Sequence, residues 1–176
     1  MNAPDAEAAY ASLREALRAA RPAQLVGIHS GGVWVARRLQ ADLGLITPLG
    51  SLSSAFHRDD YDRRKLPAEI HASELPFDVT GADIILVDDI LYTGRTVRAA
   101  LNEIFDYGRP ARVRLAVLID RGGRELPIEA DFCGIRQPLP AEHEYVLAGS
   151  GGAHQQCSDQ QQRLRHRFLL ARRGCA

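Results

Sequence analysis

Apolar and polar positions along the chain switch between a helical period and a strand-like one, in the order of an α/β protein. Ala6, Ala9, Leu13, Ala16, Leu17 and Ala20 share one side of a helix over 5–21, which Pro22 closes. Gln24 to His29 reads as a strand, and Val33 to Leu43 as a helix ended by Gly44. A further strand is expected over 48–58. Ile84, Ile85, Leu86 and Val87 form an unbroken, largely β-branched run, as in a parallel strand covered on both faces. Val97, Ala100, Leu101, Ile104 and Phe105 then mark one face of a helix. Gly108 is expected to stop it as a left-handed C-terminal glycine, with Pro110 blocking continuation. Arg112 to Ile119 is the next strand. The pattern predicts an open, mainly parallel sheet flanked by helices.

Composition narrows this picture little. The chain of 176 residues is long enough to bury one core, and its 22 basic and 22 acidic residues cancel. A balanced charge advertises no nucleic acid, although local patches exist. Arg58 to Lys65 is a dense polar run, and 151–176 holds five arginines against Asp159 alone. Residues 1–150 are expected to form the domain. Residues 151–176, rich in Gly, Ser and Gln at their start, are expected to be a divergent, solvated and dispensable tail. Within it, Leu164, Phe168 and Leu169 fit one helical face, and Phe168–Leu170 alternatively a short strand. Cys133, Cys157 and Cys175 show no metal spacing, and their odd number argues against a disulfide framework. No apolar run approaches a membrane span and no signal peptide is visible, so a cytoplasmic location is expected.

The candidate chemistry lies at the expected ends of strands. Asp88 and Asp89 follow the apolar run where a strand of an open α/β sheet reaches its carboxyl end, the edge where ligands bind. Tyr92, Thr93, Gly94, Arg95 and Thr96 lead from there into the helix. A helix N-terminus offers unpaired N–H groups and a positive dipole end, which suit a phosphate. The hydroxyls of Thr93 and Thr96 add donors, and Gly94 lets the backbone approach. Two carboxylates would repel phosphate, but they suit sugar hydroxyls or a partly hydrated Mg²⁺. A phosphorylated ribose satisfies both halves. Ser30, Gly31 and Gly32 form a second strand-to-helix turn whose amides suit an anion, or else serve as an ordinary tight turn. Gly27 to Gly31 lacks the Gly-x-Ser-x-Gly spacing of a hydrolase nucleophile.

Residues 84–96 resemble the thirteen-residue phosphoribosyl-pyrophosphate (PRPP) motif of type I phosphoribosyltransferases. The blocks 87–100, 108–110 and 115–128 are similar to the pyrimidine-operon attenuation regulator/uracil phosphoribosyltransferase family. The likeness runs from about Leu25 to Gly134. It implies the type I phosphoribosyltransferase fold, with a strand at 131–134, a small hood and a mobile lid loop opened by Arg58; beyond the likeness, 142–148 is expected to be a strand of that hood. By this resemblance Asp88 and Asp89 grip the ribose, and Arg58 belongs with them among the catalytic residues. Tyr92 to Thr96 hold the 5-phosphate, while Ser30, Gly31 and Gly32 contact pyrophosphate. The family commonly carries an arginine in that last loop; this chain has none there. Asp120, Arg121, Gly122 and Arg124 would line the base pocket, where backbone groups can read uracil. Arg124 and Glu125 are alternatively a structural ion pair.

The resemblance further implies uracil and PRPP as substrates, UMP and pyrophosphate as products, and Mg²⁺ arriving with PRPP and held mainly by substrate oxygens, without a protein metal site. A homodimer is expected. Two functions follow: a uracil phosphoribosyltransferase, and alternatively a UMP-sensing RNA-binding regulator of pyrimidine genes. A transferase acting on purines or orotate is a third reading. The balanced charge disfavours RNA.

Overall fold

The computed structural model describes residues 4–22, 24–53, 72–140, 142–149 and 168–174. Arg58 and its polar run therefore lie outside the described residues, as do 150–167. Five strands make one parallel sheet. They are β1 (Gln24–Ile28), β2 (Gly50–Leu52), β3 (Asp83–Leu91), β4 (Arg112–Asp120) and β5 (Phe132–Arg136), in the spatial order β2-β1-β3-β4-β5. The strand carrying the acid pair is thus the central one. Its apolar run alternates as a doubly covered strand must. Ile85 and Val87 join a core with α1 (Ala6–Ala20) and α2 (Gly31–Leu43), whereas Ile84 and Leu86 join a second core with α3 (Arg95–Tyr107).

Local chemistry explains the helix ends. Asp5 caps α1, its carboxylate accepting from the N–H of Glu7 at 2.9 Å and of Ala8 at 3.2 Å. Tyr10, on the buried face of α1, donates its hydroxyl to Asp42 of α2 at 2.8 Å and lies under the Arg38 guanidinium. Arg38 in turn grips Glu7 through two bonds of 2.7 and 2.8 Å, which fastens the two helices together. Gly44 ends α2 in the left-handed conformation, as expected.

Several boundaries differ from the pattern-based reading. β3 does not stop at Val87 but runs to Leu91, because Ile90 and Leu91 still pair with Ile119 and Asp120 of β4. Asp88 and Asp89 are therefore inside the strand, and Asp88 is buried. Gly108 has φ 164°, an extended value open to any residue, and so is no left-handed stop. Its role is packing, since a Cβ there would stand 2.8 Å from Thr80 Oγ1. The strand expected over 48–58 is described only as β2, with Ser51 also bridging to Glu74. At the chain's other end, β6 (His143–Gly149) and β7 (Phe168–Gly174) form a separate antiparallel pair in seven-residue register. That part of the tail is thus a strand, the extension of the Phe168–Leu170 alternative. Tyr145 and Leu147 of β6 are buried in the core under α1 and α2.

Candidate functional site

A parallel sheet delivers the carboxyl ends of β1, β3 and β4 to one edge. There the structure gathers four of the segments singled out above. Ser30–Gly32 opens α2 directly beside the acid pair. A Cβ on Gly31 would stand 2.2 Å from Asp89 Oδ2, and one on Gly32 would stand 2.4 Å from the Val87 carbonyl. The two glycines thus let the loop lie against β3, with Asp89 folded over it. The His29–Ser30 peptide is cis. Asp88 accepts the Asp89 N–H on Oδ1 at 3.0 Å.

The phosphate turn follows. Gly94, at φ 92°, precedes α3, and the Thr93 hydroxyl accepts the Arg95 N–H at 3.3 Å. Thr96 lies half-buried in the first turn of α3. The Arg95 side chain turns toward Glu125, its Nε donating at 2.7 Å across an exposed pair. The ring of Tyr92 is directed to the turn after β4. It lies 3.9 Å beneath the Arg121 guanidinium, and a Cβ on Gly123 would stand 2.4 Å from its Cε2.

The turn after β4 is built by its own backbone needs. Gly122 and Gly123 have φ of 73° and 75°, which side-chain-bearing residues rarely adopt. Asp120, buried, accepts the Gly122 N–H at 2.9 Å and pairs with Arg124 at 2.6 Å. Arg124 and Glu125 are therefore no ion pair with each other: one faces Asp120 and the other Arg95. Main-chain bonds complete the junction, because the N–H groups of Glu125 and Leu126 both donate to the Thr93 carbonyl. Arg121 N–H donates to the Leu91 carbonyl at 3.1 Å. Sequence reasoning missed Gly123, although a second consecutive glycine was its visible signal, and it missed Glu125 as the partner of Arg95. Among the described residues no cluster of three or more His, Cys, Asp or Glu could hold a metal ion. No helix among them is long and apolar enough to cross a membrane.

Comparison with known proteins agrees with this geometry. The model of the phosphoribosyl transferase domain matches residues 5–147. The chain belongs to the phosphoribosyltransferase family. Among curated relatives of this phosphoribosyltransferase, "Bifunctional protein PyrR" of Nitrosococcus oceani is 56% identical over 127 residues, spanning 71% of this chain and 72% of the relative. The protein of the same name from Ralstonia nicotianae is 52% identical over 153 residues, spanning 84% and 87%. Solved structures share the fold. A hypoxanthine-guanine phosphoribosyltransferase (hpt-2) from Bacillus anthracis superposes with a TM-score of 0.60 at 18% identity, covering 78% of this chain and 85% of that one. A purine phosphoribosyltransferase from Pyrococcus horikoshii gives 0.54 at 24% identity, covering 72% and 78%.

Proposed function

We propose that the chain is a uracil phosphoribosyltransferase, making UMP and pyrophosphate from uracil and PRPP. The observation that carries this reading is the placement of the acid pair between a glycine loop, a helix N-terminus and the turn after β4, all on one sheet edge. In this reading the Thr93 and Thr96 hydroxyls and the first amides of α3 hold the 5-phosphate. Asp88 and Asp89 hold the ribose hydroxyls and lend negative charge while positive charge grows on the ring. The C1′–N1 bond forms as the C1′–O bond to pyrophosphate breaks with its electron pair, and the N1 proton of uracil passes to water. Loop 30–32 offers backbone amides to the leaving pyrophosphate without the arginine common in the family.

The side chains of Arg121 and Arg124 are engaged by Tyr92 and Asp120. Backbone groups of 120–124 are therefore assigned to reading the base. Arg58 is assigned to a lid that excludes water. The hard oxygens of Asp88 and Asp89 fit Mg²⁺ arriving with PRPP and bound in part through water. Such an ion would neutralise the departing pyrophosphate. A cytoplasmic location and a homodimer belong to the same proposal.

The test is nucleotide formation from PRPP with uracil, orotate, hypoxanthine and adenine in turn. UMP alone is expected, and a purine nucleotide or orotidylate as the main product would overturn the substrate assignment. A second reading is favoured by the word "bifunctional" in the names of both relatives: a UMP-responsive RNA-binding regulator of pyrimidine genes. RNA binding by arginines would weaken with salt at a slope of roughly 0.7–0.9 per phosphate contacted. A filter-binding titration of a pyrimidine-leader hairpin against a scrambled RNA, with and without UMP, decides it. UMP-stimulated preference for the hairpin is what this second reading requires.

A further inference from the structure

The buried face of the turn that follows β4 (120–128) is tied to the phosphate turn (91–96) by the Arg124 side chain, which bonds to main chain of both. We propose that Arg124 is a positioning residue for phosphoribosyl transfer, holding the base turn in fixed relation to the phosphate turn without touching substrate. The inference rests on the uracil phosphoribosyltransferase reading and deepens it.

A guanidinium carries five N–H donors in a rigid fork. In Arg124 the fork is directed into the protein. Nη2 pairs with Asp120 at 2.6 Å, and Nε donates to the Ile128 carbonyl at 2.9 Å, both within the base turn. Nη1 crosses to the phosphate turn and donates to the Tyr92 carbonyl at 2.6 Å, with Leu91 O at 3.4 Å and Gly122 O at 3.5 Å beyond it. The Arg124 side chain is 22% exposed and its partner Asp120 11%, so these charge-assisted bonds are largely shielded from water.

Other contacts cross the same gap. They are the bonds from Glu125 and Leu126 N–H to the Thr93 carbonyl, the bond from Arg121 N–H to the Leu91 carbonyl, the exposed Arg95–Glu125 ion pair, and the packing of Tyr92 against Arg121 and Gly123. Arg124 is the cation that fastens both ends of the base turn, at Asp120 and Ile128, to the residue just before Thr93. A base on one turn and a ribose 5-phosphate on the other must meet to within a fraction of an ångström. Misplacement by about 1 Å is enough to slow a reaction on the order of a hundredfold. The phosphate site itself does not depend on this fork, because Thr93, Gly94 and α3 build it from their own residues.

The experiment uses the full chain as wild type, Arg124→Met and Arg124→Lys. It measures affinity for ribose 5-phosphate, which needs one turn, and for UMP, which needs both, together with kcat and the KM of each substrate. Ribose 5-phosphate affinity and the KM for PRPP should stay at wild-type values. UMP affinity should fall by about tenfold in Arg124→Met, as expected for lost bonds to a charged group, and kcat should fall on the order of a hundredfold. Arg124→Lys should recover part of both, since an ammonium keeps the charge beside Asp120 but cannot fork to both turns. Equal weakening of ribose 5-phosphate and UMP would mean general loosening and would overturn the proposal. So would wild-type UMP affinity and kcat in Arg124→Met. Should that variant not fold, Arg124→Lys carries the same comparison. A wild type that neither binds UMP nor converts uracil removes the functional reading and this inference together. An active wild type with unaffected variants removes the inference alone.

Discussion

Asp89 rests on Gly31. The Asp89 Oδ2 atom occupies the place where a Cβ on residue 31 would lie, 2.2 Å away, whereas a Cβ on Gly32 would meet main chain, the Val87 carbonyl at 2.4 Å. The two adjacent glycines therefore answer to different demands. In Gly31→Ala the carboxylate end of a side chain must move, which disturbs the ribose site more than the fold. In Gly32→Ala the strand itself must shift, an overpacking expected to cost about 1–3 kcal/mol. Gly31→Ala should lower turnover on the order of a hundredfold with little change in melting temperature, and Gly32→Ala should lower the melting temperature. Paired kinetics and thermal melts check this, and the reverse ranking would refute it.

Thr96→Val keeps side-chain shape in the first turn of α3 and removes one hydroxyl. A hydrogen bond to a charged group is worth roughly 1.5–3 kcal/mol. PRPP affinity should therefore fall about tenfold or more, with uracil binding unchanged. Titration calorimetry reads both, and undiminished PRPP binding would take Thr96 out of the phosphate site.

Removing residues 151–176 should destabilise the protein. The sequence-based expectation of a dispensable tail does not fit β7, which pairs with β6 along all seven residues, from His143↔Gly174 to Gly149↔Phe168. β6 in turn places Tyr145 and Leu147 in the core. Truncation after Ser150 strips β6 of its described partner, so a lower melting temperature and weakened activity are expected. An unchanged melt would show that β6 holds its place without β7.

Asp83 gives the fold an acid-sensitive tie. It accepts from Arg112 and lies 3.3 Å from Arg114. The hydrogen bond from Arg112, aided by the charge of both arginines, holds its carboxyl below the usual range. A depressed folded-state value means stability that is present above the unfolded carboxylate value of about 3.9 and lost as pH falls through the lower folded value. The pair is largely exposed, so solvent screens it and the effect is small. Asp83→Asn should melt slightly below wild type near neutral pH, and the gap should close as pH falls below the unfolded carboxylate value of about 3.9. A gap that does not depend on pH would contradict the assignment.

Much of this was legible in the residues because burial has a period. The run 84–87 gave the central strand, and the face from Val97 to Ile104 gave α3. Hydrophobic pattern does not encode ladder register, however, so the extension of β3 through Asp88 and Asp89 followed only from its pairing with β4. A glycine after a helix signals a stop, but at Gly108 the cause is contact with Thr80, a residue far away in sequence. The links of Arg124 escaped for the same reason. Its partners include the carbonyls of Tyr92 and Ile128, and main-chain atoms leave no mark on residue identity.

The most direct measurement is the rate of UMP formation from uracil and PRPP with Mg²⁺, taken for wild type and for the double variant Asp88→Asn/Asp89→Asn. Asparagine at 88 keeps an acceptor for the Asp89 N–H, now held on Oδ1 at 3.0 Å, so the strand should persist while both negative charges disappear. Wild type should form UMP, and the double variant should fold normally yet turn over on the order of a hundredfold or more slowly. Absence of UMP with wild type, or wild-type turnover in the double variant, would contradict the assignment of this sheet edge as a uracil phosphoribosyltransferase site.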